Sequence, residues 1–482
     1  MKSMVCLCLL LGFLPSCATN PASKGHDFVL MSEKNELNLG KQLNAQYHQQ
    51  LVLLDEKDPL AVYVNEIGQK IAKVADRPDL FYHFYVVDDA TINAFALPGG
   101  YIYIHRGLLN YLNSEAELAA VLGHEIGHVT ARHAVKRYTQ VKAYQVGMTM
   151  ASIFLPIQAV TGNLSNLLAA TLISGYGREQ ELQADELALK YTPQAGYDPD
   201  AVAQLLNTLK RLEDLDKKEQ KDVGNKVHEY HGAFASHPKT KQRIADVEAK
   251  EQRLHQQGFI NHDRFLSMLD GYPYGDSAKD GAVVGQRFLH PNLHLQLSFP
   301  KRWVMKNTAQ ALTARVRKEK AYFKLSLQTL VKRQSPKEVL QDMFRKQTIT
   351  YIKKDMILGH EAAHAHVEGH TPNMKGAAMD VTVWTLGEQA FVMTMWAKKD
   401  VFANYEKDFN SIGLSLKPFD AKTDQGIPRM ALHLWKQGDS WQSLAKQSHD
   451  ILGKFTAERL AVLNGMSLQQ KPKQGDVIKI MK

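Results

Sequence analysis

The sequence predicts a multidomain protein: a mainly α (α+β) domain over residues 18–270, a small α+β domain over 285–418, and a βααβ module over 428–482. Three observations carry this expectation. A chain of 482 residues exceeds what one hydrophobic core organises. Apolar residues recur at helical spacing through the first half, whereas alternation takes over beyond Gly285. Two turn-rich stretches, Gly271 to Gly285 and Gly426 to Pro428, separate the parts.

Lys2 and an apolar run from Met4 to Leu14 open the chain; the run is too short for a permanent span and reads as a signal peptide over residues 1–17. Leu14-Pro15-Ser16-Cys17 looks like a bacterial lipobox, with Pro15 an unusual occupant. The cysteines are Cys6, Cys8 and Cys17, so cleavage leaves Cys17 alone at the new N-terminus and no disulfide within the mature chain. Diacyl modification of Cys17 would anchor the protein, and Ala18 rather than Asp after it resembles sorting to the outer membrane.

Residues 33–76 read as two structural helices, one bearing Leu37, Leu39, Leu43 and Tyr47, the other starting at Pro59 and bearing Val62, Val64, Ile67, Ile71 and Val74. Phe81 to Val87 and Tyr101 to Ile104 read as strands, with Pro98-Gly99-Gly100 as a turn between Asn93-Ala94-Phe95 and the second strand.

Residues 121–130 contain His124, Glu125 and His128 in the spacing H-E-x-x-H. On a helix, side chains at i and i+4 share a face, so the two histidines can offer nitrogens to one cation. Glu125, about 100° round from His124, can reach a metal-bound water without being a ligand. That is the arrangement of a zinc hydrolase: two nitrogens hold the ion and the carboxylate takes the proton. Ser114 and Glu117 form an S-x-x-E capping box, and Leu118, Val121, Leu122, Ile126 and Val129 make a buried stripe. Leu122, Gly123, Ile126, Gly127 and Val129 surround the triplet, so its polar groups need a metal or hydrogen bonds to offset burial.

A catalytic zinc wants a third protein ligand and an open position. Ala131 and Ala134 exclude the H-x-x-G-x-x-H continuation, so the ligand comes from further on. Residues 177–185 open another helical pattern in which Glu181 and Asp185 lie one turn apart. Glu181 can bind the ion while Asp185 accepts from the far nitrogen of a ligand histidine; Glu179 competes for the same role.

The run from Ala143 to Gly177 is free of charge and broken by Pro156, Gly162 and Asn163, which predicts two short helices forming a lid or plug over the cleft, with membrane contact as the alternative. Leu205, Leu206, Leu209 and Leu212 mark a helix, followed by a solvated charged run from Lys217 to Lys226. Beyond Gly285, Leu293, Leu295, Leu297 and Phe299, then Phe323, Leu325 and Leu327, alternate as strands; Ser335 caps a helix through Leu340 and Phe344, and Val381, Val383 and Phe391 to Trp396 give more strands. His360, His364, His366 and His370 lie here without an accompanying carboxylate or cysteine pattern. The net charge of +9 is spread along the chain, which suits solubility and weak attraction to anionic envelope polymers and argues against nucleic acid.

Residues 93–104, then Gly123-His124-Glu125-Ile126-Gly127-His128, then Glu181-Leu182-Gln183-Ala184-Asp185 resemble the HtpX and CAAX prenyl-protease family of H-E-x-x-H zinc metalloendopeptidases, in its periplasmic BepA-like branch. The resemblance covers roughly residues 28–255. It implies a gluzincin metallopeptidase domain with one Zn2+ held by His124, His128 and Glu181, Glu125 as the base, and Asp185 behind a ligand histidine. It further implies that His237, in Ser236-His237-Pro238, either stabilises the oxyanion or occupies the open position of a latent form. Asn93, Ala94 and Phe95 would border the cleft and pair with an extended substrate. The ordering of 285–418 faintly resembles PsbP- or Mog1-like domains. Residues 428–482, with Gly438-Asp439-Ser440 opening a helix and Leu463-Asn464-Gly465 before the last strand, look like a LysM module, implying contact with peptidoglycan.

These readings converge on a zinc metalloendopeptidase of the Gram-negative periplasm, lipid-anchored to the outer membrane and degrading misfolded or stalled envelope proteins. The competing expectation is a peptidoglycan-tethered chaperone or scaffold whose metal site is latent; a further one is a cell-wall peptidase or amidase.

Overall fold

The computed structural model describes residues 17–19, 22, 26–29, 31–145, 175–222, 237, 241–254, 257–276, 280–308, 311–317, 319–372, 374–420, 427–448 and 453–482. The signal peptide and residues 146–174 of the expected lid lie outside them, and Cys17 is described only as backbone, in β1 (Cys17–Thr19), paired antiparallel with β2 (His26–Phe28).

The first unit is built around helices. α1 (Glu33–Gln50) starts on Ser32, whose hydroxyl accepts from Asn35 N, and α2 (Pro59–Val74) starts with Pro at its first turn. Leu60, Val64, Ile67 and Ile71 of α2 recur at three- and four-residue steps and are fully buried, each stabilising the fold by roughly 1.5–3 kcal/mol. They face β3 (His83–Val87), β4 (Ala94–Leu97) and β5 (Tyr101–His105), a sheet in the order β3-β5-β4, with β5 parallel to β3 and antiparallel to β4. The Pro98-Gly99-Gly100 turn joins β4 to β5, and both glycines take positive φ, 81° and 95°, which a side chain would resist. β4 is an edge strand.

α3 (Arg106–Tyr111) leads into α4 (Glu115–Thr130), the helix carrying H-E-x-x-H. Its start differs from the expected reciprocal capping box. Ser114 Oγ accepts from Glu117 N at 3.1 Å, but the Glu117 carboxylate accepts from Asn113 N at 3.1 Å rather than from Ser114. α5 (His133–Gln145) follows after Arg132, a non-glycine residue at φ 54°. α6 (Arg178–Gln194) lies across α4, and α7 (Ala201–Asp222), α8 (Lys241–Leu254) and α9 (His262–Leu269) complete the helical shell. Among the described residues no helix is long and apolar enough to cross a membrane.

The second unit is a sandwich. A seven-stranded antiparallel sheet runs in the order β12 (Thr348–Ile357), β13 (His360–Thr371), β14 (Met374–Leu386), β15 (Gln389–Lys398), β11 (Ala321–Thr329), β10 (Ala311–Val316), β9 (Trp303–Thr308). α10 (Pro336–Met343) covers one face through Val339 and Leu340. The other face packs on a smaller sheet containing β6 (Ala282–Val284), β7 (Arg287–His290) and β8 (Leu295–Ser298), and on α11 (Glu406–Leu414), around Trp303, Phe323 and Phe409. On β13, His366 Nδ1 lies 2.8 Å from Asp380, so a carboxylate does accompany these histidines, by strand pairing rather than by sequence pattern. They belong to no group that could hold a metal among the described residues.

The C-terminal segment forms an antiparallel pair, Met430–Leu434 with Val477–Met481, enclosing helices Trp441–Gln447 and Thr456–Leu463. Ser440, not Asp439, is the N-cap; Asp439 instead accepts from Lys436 N and pairs with His433. Met430, Trp441, Leu460, Leu463 and Ile480 join the same core as α2, α4 and α7. Two buried cations hold the contact: Lys479 Nζ donates to Asn110 O at 2.8 Å, and Arg459 donates to Tyr111 Oη at 2.9 Å while pairing with Asp216 and Glu219. The chain leaves this core and re-enters it at adjacent points, since Met430 N donates to Tyr272 O at 2.8 Å and Tyr274 N to Pro428 O at 2.7 Å.

Candidate metal centre

α4 and α6 cross where their side chains are smallest. A Cβ on Gly123 would meet Ala188 Cα at 3.5 Å, and one on Gly127 would meet Leu187 Cβ at 3.1 Å and the Ala184 backbone at 3.3 Å. This close approach brings the histidines of α4 to the carboxylates of α6. Glu179 points to solvent, whereas Glu181 is fully buried on the face carrying Ala184 and Ala188.

His124 Nε2 lies 3.1 Å from His128 Nε2 and 3.7 Å from Glu181 Oε2, and His128 Nε2 lies 3.6 Å from Glu181 Oε1. His237, 113 residues beyond His124, enters the same cluster: its Nδ1 is 3.0 Å from Glu181 Oε1 and 3.3 Å from His124 Nε2. Ligand atoms from His124, His128, Glu181 and His237 all fall within 4.8 Å of one another, and these four could hold a metal ion. Glu125 lies beside them, its Oε1 3.5 Å from His237 Nε2.

The donor set fits a cation on its own chemistry. His124 Nδ1 faces Asp185 Oδ1 at 3.1 Å, which places the proton on Nδ1 and leaves a lone pair on Nε2. A second imidazole nitrogen, His128 Nε2, faces that lone pair, an arrangement a cation between them satisfies. Glu125 Oε2 and His237 Nε2 are buried with no hydrogen-bond partner among the described residues, as groups reserved for a reacting molecule would be.

Arg243 on α8 organises the carboxylates. Its Nε and Nη2 donate to the two oxygens of Asp185, each at 2.7 Å, and its Nη1 sits 2.7 Å from Glu181 Oε2. Burial pushes Asp185 up, but Arg243 and His124 outweigh it and hold the carboxyl down at about 2. Burial likewise raises Glu181, while His237 and Arg243 bring it below its ordinary value. Glu125 is raised by burial, which favours a carboxyl able to hold a proton. His237 is lowered by burial and raised more by Glu181 and Glu125, ending at about 9.

Ala94 of β4, with Val202, Leu205, Leu206 and Leu209 of α7, lines a cavity of about 50 Å³ that opens onto His124, Glu125 and His237. The edge strand thus borders the cleft. Phe95 turns away from it to stack on Tyr103 at 4.9 Å, and Asn93 O accepts from His105 N.

Sequence reasoning missed two neighbours of His128. Tyr176 stacks on its ring, centroids 4.0 Å apart and 16° from parallel. His133, which burial lowers to about 4, sets its Nδ1 2.8 Å from His128 Nδ1. A histidine five residues after the second histidine of H-E-x-x-H was the available hint, its direction hidden by the irregular turn at Arg132.

Residues 60–251 match the model of peptidase family M48. The mitochondrial metalloendopeptidase OMA1 of Schizosaccharomyces pombe is 32% identical over 198 residues, covering 41% of this chain and 54% of its own length. The beta-barrel assembly-enhancing protease of Yersinia pestis is 32% identical over 163 residues, covering 32% of this chain and 33% of its own. A putative beta-barrel assembly-enhancing protease of Vibrio cholerae is 30% identical over 223 residues, with coverages of 43% and 46%. The matches thus span from a third to about half of these relatives. Among solved structures, cyanobacterial PsbP from Synechocystis overlaps 30% of the chain at a TM-score of 0.24 and 10% identity, too little to carry an argument. The matching stretch contains His124, Glu125, His128, Glu181 and His237, and what it builds is a metalloprotease unit with zinc as its cofactor.

Proposed function

We propose that this protein is a zinc-dependent metalloendopeptidase of the bacterial cell envelope that degrades misfolded or stalled periplasmic and outer-membrane proteins. One observation carries the enzymatic reading: donor atoms of His124, His128, Glu181 and His237 converge within 4.8 Å, and beside them the buried Oε2 of Glu125 has no hydrogen-bond partner among the described residues. In this reading His124, His128 and Glu181 hold the ion, Asp185 orients His124, and Arg243 keeps both carboxyls ionised. Zinc, when bound, supplies a water of lowered pKa and polarises the scissile carbonyl. Glu125 takes the proton of the attacking water and returns it to the leaving nitrogen, a role its burial suits. His237 Nε2, without a hydrogen-bond partner among the described residues, donates to the developing oxyanion. An extended substrate pairs alongside β4, an edge strand among the described residues, where Asn93, Ala94 and Phe95 border it, with a small aliphatic side chain in the cavity under Ala94.

The envelope setting rests on the relatives named beta-barrel assembly-enhancing protease, together with the lipobox-like sequence at Cys17 and the LysM-like sequence of 428–482. In this reading Cys17 is lipidated and anchors the protein in the outer membrane, and residues 428–482 contact peptidoglycan. The location of His237 Nδ1 among the other three donors favours a second reading, a resting state in which the open position is filled and the protein serves as a tethered scaffold until substrate displaces the ring.

The test uses mature protein: zinc content, and cleavage of casein with and without a chelator. Glu125→Gln should retain stoichiometric zinc and lose cleavage. Undiminished cleavage by that variant would refute the base assignment. Zinc at full stoichiometry with no cleavage by the wild type would favour the latent scaffold.

A further inference from the structure

Outside the cluster itself, the buried group with the most specific aim at it is His133, and we infer that His133 is a positioning residue that fixes the tautomer and orientation of His128. The inference rests on the reading that His128 is a metal ligand. His133 is wholly buried, and both of its nitrogens are engaged: Nδ1 with His128 Nδ1 at 2.8 Å, Nε2 with the Gln183 amide oxygen at 3.0 Å. An amide oxygen only accepts, so the single proton of neutral His133 sits on Nε2 and its Nδ1 is an acceptor. His128 must then carry its proton on Nδ1, and its Nε2, the atom turned toward His124 and Glu181, presents a lone pair. The relay runs Gln183, His133, His128, and it starts on α6 and ends on α4, the two helices the metal would join.

The local backbone is bent to make this contact. α4 ends at Thr130, and Arg132 adopts φ 54°, a left-handed conformation that is strained for a non-glycine residue. Its side chain is tied down: Arg132 Nε donates to Glu36 at 2.7 Å and Nη2 to Met31 O at 3.1 Å, and buried Glu36 also pairs with Arg77 at 2.8 Å. These bonds offset the strain of a turn that folds His133 back under the helix it follows. Tyr176 stacks on the face of the His128 ring while His133 meets its edge, so the imidazole is held in plane and in tilt.

The expected effect of removing such a partner is about 10- to 100-fold in metal affinity. The experiment is competition of the full-length protein with a chromogenic chelator for zinc, in His128→Ala, His133→Ala, Gln183→Leu and the His133→Ala/Gln183→Leu pair. The visible spectrum of the cobalt-loaded protein and thermal unfolding of the metal-free protein are recorded alongside. His128→Ala should abolish tight binding; wild-type affinity there would sink the ligand reading, and the inference with it. Given that loss, His133→Ala should weaken zinc at least tenfold and shift the cobalt spectrum while the metal-free protein still unfolds cooperatively. Gln183→Leu should weaken zinc in the same direction, and the pair should bind no more weakly than His133→Ala alone, because Gln183 acts only through His133. Zinc affinity within threefold of wild type in both single variants overturns the inference, as does strict additivity in the pair. Should His133→Ala fail to fold, Gln183→Leu alone decides it by the same threefold criterion.

Discussion

The distance between the two halves of the metal centre is set by the seam between α4 and α6, which makes Gly127→Val a sharp perturbation. A Cβ at Gly123 would sit at 3.5 Å from Ala188 Cα, ordinary contact, whereas a Cβ at Gly127 would press on Leu187 Cβ at 3.1 Å and on Ala184 backbone at 3.3 Å. Replacing a helical glycine with alanine gains about 1 kcal/mol from helix propensity. Gly123→Ala should keep that gain. Gly127→Ala should lose it to strain, because backbone on α6 cannot yield unless the whole helix shifts. The two further methyls of valine must push the helices apart on the order of 1 Å, since interaxial distance follows the side chains at the crossing. Overpacking costs about 1–3 kcal/mol, and the chemical effect is larger. Glu181 rides on α6 and the histidines on α4, and a zinc site tolerates only about 0.2 Å in its ligand distances. Zinc affinity in Gly127→Val should therefore fall at least tenfold, measured by chelator competition, while Gly123→Ala binds as the wild type does and unfolds at a higher temperature. Wild-type zinc affinity in Gly127→Val would refute the claim that this seam sets the donor spacing.

Other expectations test different parts of the molecule. Burial raises Asp276 to about 6, and an unfolded aspartate titrates near 3.9, so its ionisation opposes folding increasingly from about pH 4 to 6. Asp276→Asn should stabilise by up to about 3 kcal/mol at pH 7 and by nothing at pH 4; equal effects in urea unfolding at the two pH values would contradict this. Lys479→Met leaves the buried carbonyls of Asn110 and Leu112 without their donor and removes the charge that opposes the burial-driven rise of Glu117, and should cost about 1–3 kcal/mol, with part of the loss recovered on adding Glu117→Gln. Failure of the second change to recover any stability would show that Lys479 acts through the two carbonyls alone. Leu206→Phe should fill the cavity beside Glu125 and lower kcat/KM roughly tenfold or more for peptides presenting leucine there, with zinc content unchanged. An unaltered preference among peptide substrates would remove that cavity from the substrate path.

The local chemistry of α4 was legible because its information is local: His124 and His128 share a face by helical geometry, and Ser114 marks where the helix begins. Glu181 against Glu179 was half legible. Their spacing suits either, and the choice is made by packing, since Glu181 shares its face with Ala184 and Ala188, the small residues that let α4 approach. His237, Arg243 and His133 carry no such local signal. His237 and Arg243 come from distant chain positions, where only the family resemblance pointed to the histidine and the arginine went unread, and His133 is aimed by a left-handed turn at an arginine, a conformation no composition rule assigns. In the sandwich, alternation gave away the strands around Leu295 and Phe323, but not the ladder order, which depends on pairings between segments far apart.

The stem formed where residues 271–274 meet 428–430 makes the sandwich a topological appendage: its two ends stand side by side on the helical unit, like the base of a handle. A short linker joining Tyr274 to Pro428 would close that gap, because the intervening strands contribute no residue to the core shared by α2, α4 and the C-terminal helices. The reverse excision is forbidden. Residues 430–481 follow the sandwich in the chain yet complete the support under Asn110, Leu112 and Glu117, so a nascent chain finishes the packing of α4 only after the Val477–Met481 strand has emerged.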